Sequence, residues 1–220
     1  MHLMRLYAST VIAVLIGIPL FPCATNADDN FADIFNGRDL SGWVAAGATT
    51  YKDGDEEKPV WTVEDGMIVC AGKGYGFLTF DKELTDFIVH VEYRMCPGCN
   101  SGLGIRSKKY DGKRGTRPST SGYEMQIVDD ARREPSNHSS GSLYRYVAPA
   151  VNAHKPAGEW NVVEVECRGP NIKITMNGQV IHDIDQSRIE KIKNKPLSGY
   201  FCVQNHGRKI EYRNLRLKEL

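Results

Sequence analysis

Between Phe87 and Met95 the chain alternates: Phe87, Val89, Val91, Tyr93 and Met95 share one side, while His90, Glu92 and Arg94 share the other. Successive side chains of a strand point to opposite faces, so this period of two describes a strand with one buried face. The same period recurs along the chain in short segments, and no segment sustains the 3.6-residue period of an amphipathic helix. Segments 60–63 and 67–71 flank Glu64-Asp65-Gly66, a hairpin signal. Further strands are expected at 77–80, 102–106, 123–128, 161–168, 172–176, 179–184, 199–204 and 209–217. Asn177-Gly178 joins two of them and is the strongest hairpin turn in the sequence. Only 186–193 reads as a short helix or turn. About ten strands with almost no helix imply an all-β fold, two antiparallel sheets packed as a sandwich.

The first residues read as an export signal. His2 and Arg5 precede an apolar run at 11–21, and Thr25-Asn26-Ala27 supplies a cleavage tripeptide with small ends. The run is too short to span a bilayer comfortably, so no stable membrane insertion is expected. Cys23 raises a lipoprotein anchor, disfavoured because bulky, stiff Phe21-Pro22 precedes it. A signal peptide over 1–27, a single domain over 28–220 and a periplasmic or secreted location follow as expectations. Export permits disulfides, and Cys96-Pro-Gly-Cys99 is expected to close a small structural loop. Cys70, Cys167 and Cys202 lie in strand-like runs and read as buried apolar residues. Basic and acidic residues number 28 and 27, a balance that argues against a dedicated nucleic-acid binder.

Three segments gather unusual polar groups on one face. In "SGLGIR", Gly102, Gly104 and Arg106 oppose Leu103 and Ile105. In "YEMQIV", Glu124 and Gln126 oppose Tyr123, Met125 and Ile127. In "FCVQNH", Cys202, Gln204 and His206 oppose Phe201 and Val203. A sheet often has one wet face, but a casual wet face is rich in Lys, Thr and Ser. Carboxylate, amide, imidazole and guanidinium instead suit hydroxyls and developing oxyanions. The glycines remove side chains and are expected to let a ligand approach the backbone. Two long connections, 107–121 and 129–158, stand out. The first carries Lys108, Lys109, Lys113, Arg114 and Arg117, and such charge runs are usually solvated. Gly72-Lys-Gly-Tyr-Gly76 lacks the ending of a phosphate loop, and no nucleophile elbow occurs. Trp43, Trp61 and Trp160 read as core, and Asp129-Asp130 as turn residues.

The stretches "FNGRDLSGW", "NSGLGIRS", "GYEMQIVDD", "GSLYRYVAP", "GEWN", "NGQVI", "QNHG" and "YRNLRLKEL" occur in that order. Together they resemble the 3-keto-disaccharide hydrolase domain family, over essentially the whole mature chain. The resemblance implies a concanavalin A-like jelly-roll sandwich, export, and carbohydrate substrates oxidised at C3. A C3 ketone acidifies the C2 proton; its removal gives an enolate, and loss of the C1 oxygen then breaks the glycosidic bond. Such a site needs a base, an enolate-stabilising charge and a donor to the leaving group. Glu124 or His206 is the candidate base, and Arg106 or a bound divalent cation the candidate holder of the enolate. Gln126 and Gln204 would orient hydroxyls, and His138 or Tyr144 would reach in from the second long connection. Two alternatives stay open. Glu124-x-Gln126-x-x-Asp129 shares spacing with the acid cluster of laminarinase-like retaining glycosidases, with its middle acid replaced by an amide and its last shortened. A non-catalytic carbohydrate-binding module would use the same face without chemistry.

Overall fold

The computed structural model describes residues 30–220. The expected export signal and Cys23 lie outside them. Among the described residues, no helix is long and apolar enough to cross a membrane.

Fifteen strands follow one another in chain order. The first six are β1 (Ala32–Asp33), β2 (Trp43–Gly47), β3 (Thr50–Asp53), β4 (Glu56–Pro59), β5 (Trp61–Glu64) and β6 (Met67–Cys70). Then come β7 (Tyr75–Leu84), β8 (Phe87–Met95), β9 (Asn100–Ser107) and β10 (Tyr123–Val128). The last five are β11 (Asn161–Arg168), β12 (Asn171–Met176), β13 (Gln179–Asp185), β14 (Gly199–His206) and β15 (Ile210–Glu219). One α-helical turn, α1 (Pro118–Ser121), and two single 3₁₀ turns complete the list. The segment expected as a short helix begins with one of those turns, Gln186–Arg188.

The strands form an eight-stranded antiparallel sheet, β13-β12-β11-β8-β15-β6-β5 with β1 on β15, and a five-stranded one, β10-β9-β14-β7-β2. The chain passes repeatedly between them: β7 to β8, β8 to β9, β10 to β11, β13 to β14 and β14 to β15 all change sheet. This is the two-sheet sandwich that the alternating sequence pattern implies, with the jelly-roll topology that the family resemblance implies. The buried faces meet face to face. Leu103, Ile105, Tyr123, Met125, Ile127, Phe201 and Val203 come from one sheet, and Val89, Val91, Tyr93, Val163, Val165, Ile172, Ile174 and Tyr212 from the other. Each fully buried apolar side chain of this size stabilises the fold by about 1.5–3 kcal/mol. The two hairpin turns form as read, with positive φ at Asp65 and Gly66 and at Asn177 and Gly178, the backbone that a type I′ turn requires.

The period of two breaks once where it matters. Arg106 has φ +51°, so its side chain leaves the face of Gly102 and Gly104. The guanidinium is fully buried and seals one end of the sandwich. Its Nη2 donates to Thr85 O at 2.7 Å, its Nη1 to Gly169 O at 2.7 Å, and Asp86 Oδ1 lies 3.3 Å away. Backbone crowding fixes the bend: a Cβ on Gly122 would stand 2.3 Å from Arg106 O, and one on Gly199 2.4 Å from Arg106 C. Arg106 is therefore a structural cation, and the expectation that it holds an enolate is corrected. The expected Cys96–Cys99 disulfide is corrected too, since all five described cysteines are free thiols. That turn is closed by Cys99 N donating to Cys96 O at 3.2 Å and Gly98 N donating to Asp129 Oδ2 at 2.8 Å. Trp43 and Trp61 are buried as expected. Trp160 is half-buried, with Arg94 and Arg213 stacked on its ring at 4.8 and 3.9 Å.

Replacing Arg106 with Met takes the guanidinium donors away from the Thr85 and Gly169 carbonyls. Thermal unfolding should show a loss of about 1–3 kcal/mol, with catalytic constants of the folded fraction unchanged; a fall in turnover at full stability would return Arg106 to the chemistry.

Candidate active site

The outer face of the five-stranded sheet becomes a site because strand register collects its polar groups. In the β9–β10 pair, Gly104 stands opposite Glu124 and Gly102 opposite Gln126. On the other side of β9, Cys202 of β14 stands opposite Gly104. Gln204 and His206 continue that face of β14, and β14 pairs onward with β7, setting His206 opposite Tyr75. Three strands, β10, β14 and β7, with β9 between the first two, thus bring Glu124, Gln126, Gln204, His206 and Tyr75 to one side.

The glycines serve these neighbours. A Cβ on Gly102 would lie 2.8 Å from Glu124 Cγ, so the missing side chain makes the groove in which Glu124 lies. A Cβ on Gly104 would lie 2.3 Å from Cys202 Sγ and 2.9 Å from Pro118 Cγ. Gly104 thereby lets α1 sit down on the sheet. The expectation that both glycines bare the backbone for a ligand is corrected on this ground.

The two long connections build the walls. In the first, Tyr110 packs against Phe77 and Tyr75 with ring centroids 5.0 and 6.0 Å apart. Pro118 rests on Gly104, and α1 places Ser119 beside Glu124. The second runs along the open edge of β10. Gly141 N donates to Gln126 O at 2.8 Å, Gln126 N to Ser142 O at 3.0 Å, and Tyr144 N to Glu124 O at 2.8 Å. These bonds satisfy the strand edge and set Tyr144 on the rim. The result is a hollow of about 120 Å³ floored by Glu124, Gln126 and Gln204. Tyr75, His206 and Arg117 stand on one side of it, Tyr144 and Arg145 on the other.

Electrostatics single out Glu124, which is only 6% exposed. Burial pushes its carboxyl above the ordinary 4.5, and contacts from the Ser119 hydroxyl, the Gln204 amide, Arg145 and Arg117 pull it partly back. Gln204 Nε2 donates to Glu124 Oε1 at 3.3 Å. Burial likewise raises the Tyr75 phenol to about 12, against the opposing pull of Arg117. Three buried polar atoms at this hollow have no hydrogen-bond partner within the protein: Gln126 Oε1, Gln204 Oε1 and Arg117 Nε. Buried polar groups are normally paired, so two acceptors and one donor converge here with their capacity unspent.

Of the residues expected at the site, Glu124, Gln126, Gln204, His206 and Tyr144 line this one hollow. His206 is exposed and lies edge-on to Tyr75 at 5.3 Å. His138 does not line it; exposed, it braces Tyr144 from behind at 5.1 Å, so the expectation that it reaches in is corrected. Asp129 turns its carboxylate to Gly98 N, so the three-residue acid cluster does not assemble. Five lining residues were missed: Tyr75, Asn100, Arg117, Ser119 and Arg145. Arg117 belongs to the basic connection read as solvated; the Pro after it and Gly104 beneath it were its only sequence signals. The donors do not fit a divalent cation: Glu124 is the one carboxylate lining the hollow, and two guanidiniums share its walls. Among the described residues, no three His, Cys, Asp or Glu gather to hold an ion.

The model of the 3-keto-alpha-glucoside-1,2-lyase-like domain matches residues 30–218. The chain belongs to this family. It is 27% identical over 243 aligned positions to the 3-keto-disaccharide hydrolase of Bacteroides thetaiotaomicron, an alignment that covers 87% of this chain and 79% of the relative. A candidate glycosyl hydrolase from Parabacteroides distasonis has a similar crystal structure, with TM-score 0.68 at 23% identity over 86% of this chain and 94% of that one. A galectin-like protein from Bacillus subtilis shares the fold, with TM-score 0.56 at 13% identity over 82% and 90% of the two chains.

Glu124 also carries a signature in stability. A folded-state pKa raised above 4.5 means that its contribution is fully present below pH 4.5 and is lost as pH rises through the folded value. The melting temperature of E124Q should therefore gain on wild type between pH 4 and pH 8; parallel curves would contradict a buried, desolvated carboxyl.

Proposed function

We propose that this protein cleaves 3-keto-glycosides by removing the C2 proton, eliminating the C1 substituent and then adding water. The observation that carries the reading is the hollow's unspent hydrogen-bonding capacity around one buried carboxylate. A polyhydroxylated ring supplies both donors and acceptors, which such a mixed set requires. Family membership and the 3-keto-disaccharide hydrolase relative support the keto sugar as the substrate class. The volume of about 120 Å³ is below that of the roughly 150 Å³ cavity that takes one benzene ring, so one ring edge enters and the rest of the glycoside lies outside.

Glu124 is the base. It takes the C2 proton as the C2–H electron pair moves to the C3 oxygen, giving an enolate. A carboxyl raised toward neutrality is better matched to proton transfer at working pH than an ordinary one. Gln126 and Gln204 accept from the hydroxyls that their free oxygens face, and they hold the ring in register. His206, exposed at the rim beside Tyr75, gives a proton to the departing C1 oxygen as the enolate collapses. The product is a sugar with a C1–C2 double bond conjugated to the C3 ketone. Water then adds its hydroxyl to C1 as it gives its other proton to His206, and the acid form of Glu124 returns a proton to C2. Retaining hydrolysis of ordinary glycosides needs a second carboxylate about 5 Å from the first, and no other carboxylate lines the hollow.

An ordinary disaccharide and its 3-keto counterpart, offered side by side to the purified protein, test this reading. Cleavage of the keto sugar alone is expected, with the acid limb of kcat/KM above pH 4.5 and a loss of about 10²–10⁴ in E124Q. Cleavage of the unoxidised sugar, or binding without turnover, would contradict it.

A further inference from the structure

Resting on that reading, we infer that Arg117, on the basic connection, holds the developing enolate oxygen. Five observations converge on it. Its position is set rigidly: it is the residue before Pro118, with extended backbone at φ −61° and ψ 141°. Pro118 is pinned over Gly104, where no side chain of residue 104 could be accommodated. The guanidinium lies over the ring of Tyr75, 4.8 Å from its centroid. It forms no ion pair among the described residues, although Lys109 on the same connection pairs with Asp81. Its Nε is buried and unpartnered at the hollow that Glu124 floors.

The way this cation is held matters. A carboxylate partner would occupy the N–H edge of the guanidinium, which is its working side. A tyrosine ring instead occupies the flat face and leaves the edge to donate. Arg117 thus stands charged, positioned and open beside the group that takes the C2 proton. Arg145 shares the motif, with its guanidinium 5.0 Å from the Tyr144 centroid, but it is exposed on the rim. The half-buried cation acts in the lower dielectric, where stabilisation of a new charge is larger.

The chemistry balances without a further reactant. The electron pair released at C2 moves into the C2–C3 bond as the carbonyl pair moves onto oxygen, and Arg117 donates hydrogen bonds to that oxygen. Guanidinium does not give up its proton in proteins, so the enolate stays an anion and can expel the C1 oxygen.

A 3-keto-1,5-anhydro sugar, which has no exocyclic C1 substituent to expel, isolates this step: in D₂O, exchange at C2 reports enolate formation. R117M should lower the exchange rate by about 10²–10³, the range for loss of one oxyanion donor, with the larger change in kcat rather than KM. Added guanidinium should restore part of the R117M rate, and R117K should fall between R117M and wild type. R145M should lose less than R117M. Wild-type exchange in a folded R117M, or a loss confined to KM, would overturn the role of Arg117 and leave the proposed reaction standing. If R117M does not fold, R117K decides, and an unchanged kcat overturns the role. Wild-type protein that neither exchanges the C2 proton nor cleaves the keto sugar would remove the reaction and this role together.

Discussion

Two missing side chains set up the outer face of this sheet. Gly102 clears the groove in which Glu124 lies, and Gly104 admits both Cys202 and the Pro118 turn. Any Cβ at either position would overlap atoms already there at 2.8 Å and 2.3 Å, so the carboxylate would be pushed out or the loop lifted off. The depth of Glu124, the height of α1 and the reach of Arg117 and Ser119 all follow from this close approach. Glycine inside a strand costs stability through backbone entropy, and here the packed loop and the buried carboxylate are what the strand gains in exchange.

The floor and the walls rest on different physics. The floor is fixed by antiparallel register, which carries side-chain identity across four strands with no freedom to slip, because a one-residue shift would expose the whole apolar face. The walls depend on aromatic and backbone contacts: Tyr110 on Phe77, and Gly141 and Tyr144 bonded along the edge of β10. A rigid floor under separately anchored walls suits a site in which one group is buried and another, His206, stays in contact with water. In the proposed reaction it also separates the two proton transfers in space, with the buried carboxyl at C2 and the exposed imidazole toward the leaving group.

Much of this was legible in the sequence, and the remainder was illegible for physical reasons. The strand Phe87–Met95 was readable because alternation of Val and Tyr with charged residues has no helical counterpart. The strands Tyr123–Val128 and Asn161–Arg168 were readable for the same reason. The polar hairpin Thr50–Asp53 with Glu56–Pro59 has no buried face, so its sequence carried no period. Glu124, Gln126, Gln204 and His206 could be grouped because strands transmit facing directly. Arg106 could not be separated from them, since its backbone bend is imposed by Gly122 and Gly199, distant in sequence or beyond a loop. Arg117 was hidden for the opposite reason: its place depends on where a loop lands, and residue spacing does not encode that.

The central claim is that the edge of one sugar ring enters the hollow with its C2–H bond directed at Glu124. A crystal structure with a bound 3-keto-1,5-anhydro sugar measures this directly. The account predicts C2 within about 3.5 Å of a Glu124 carboxylate oxygen, the separation of a near-attack geometry, with ring hydroxyls on Gln126 and Gln204. A ring bound on the outer face of the eight-stranded sheet, or one presenting C2 away from Glu124, would contradict it.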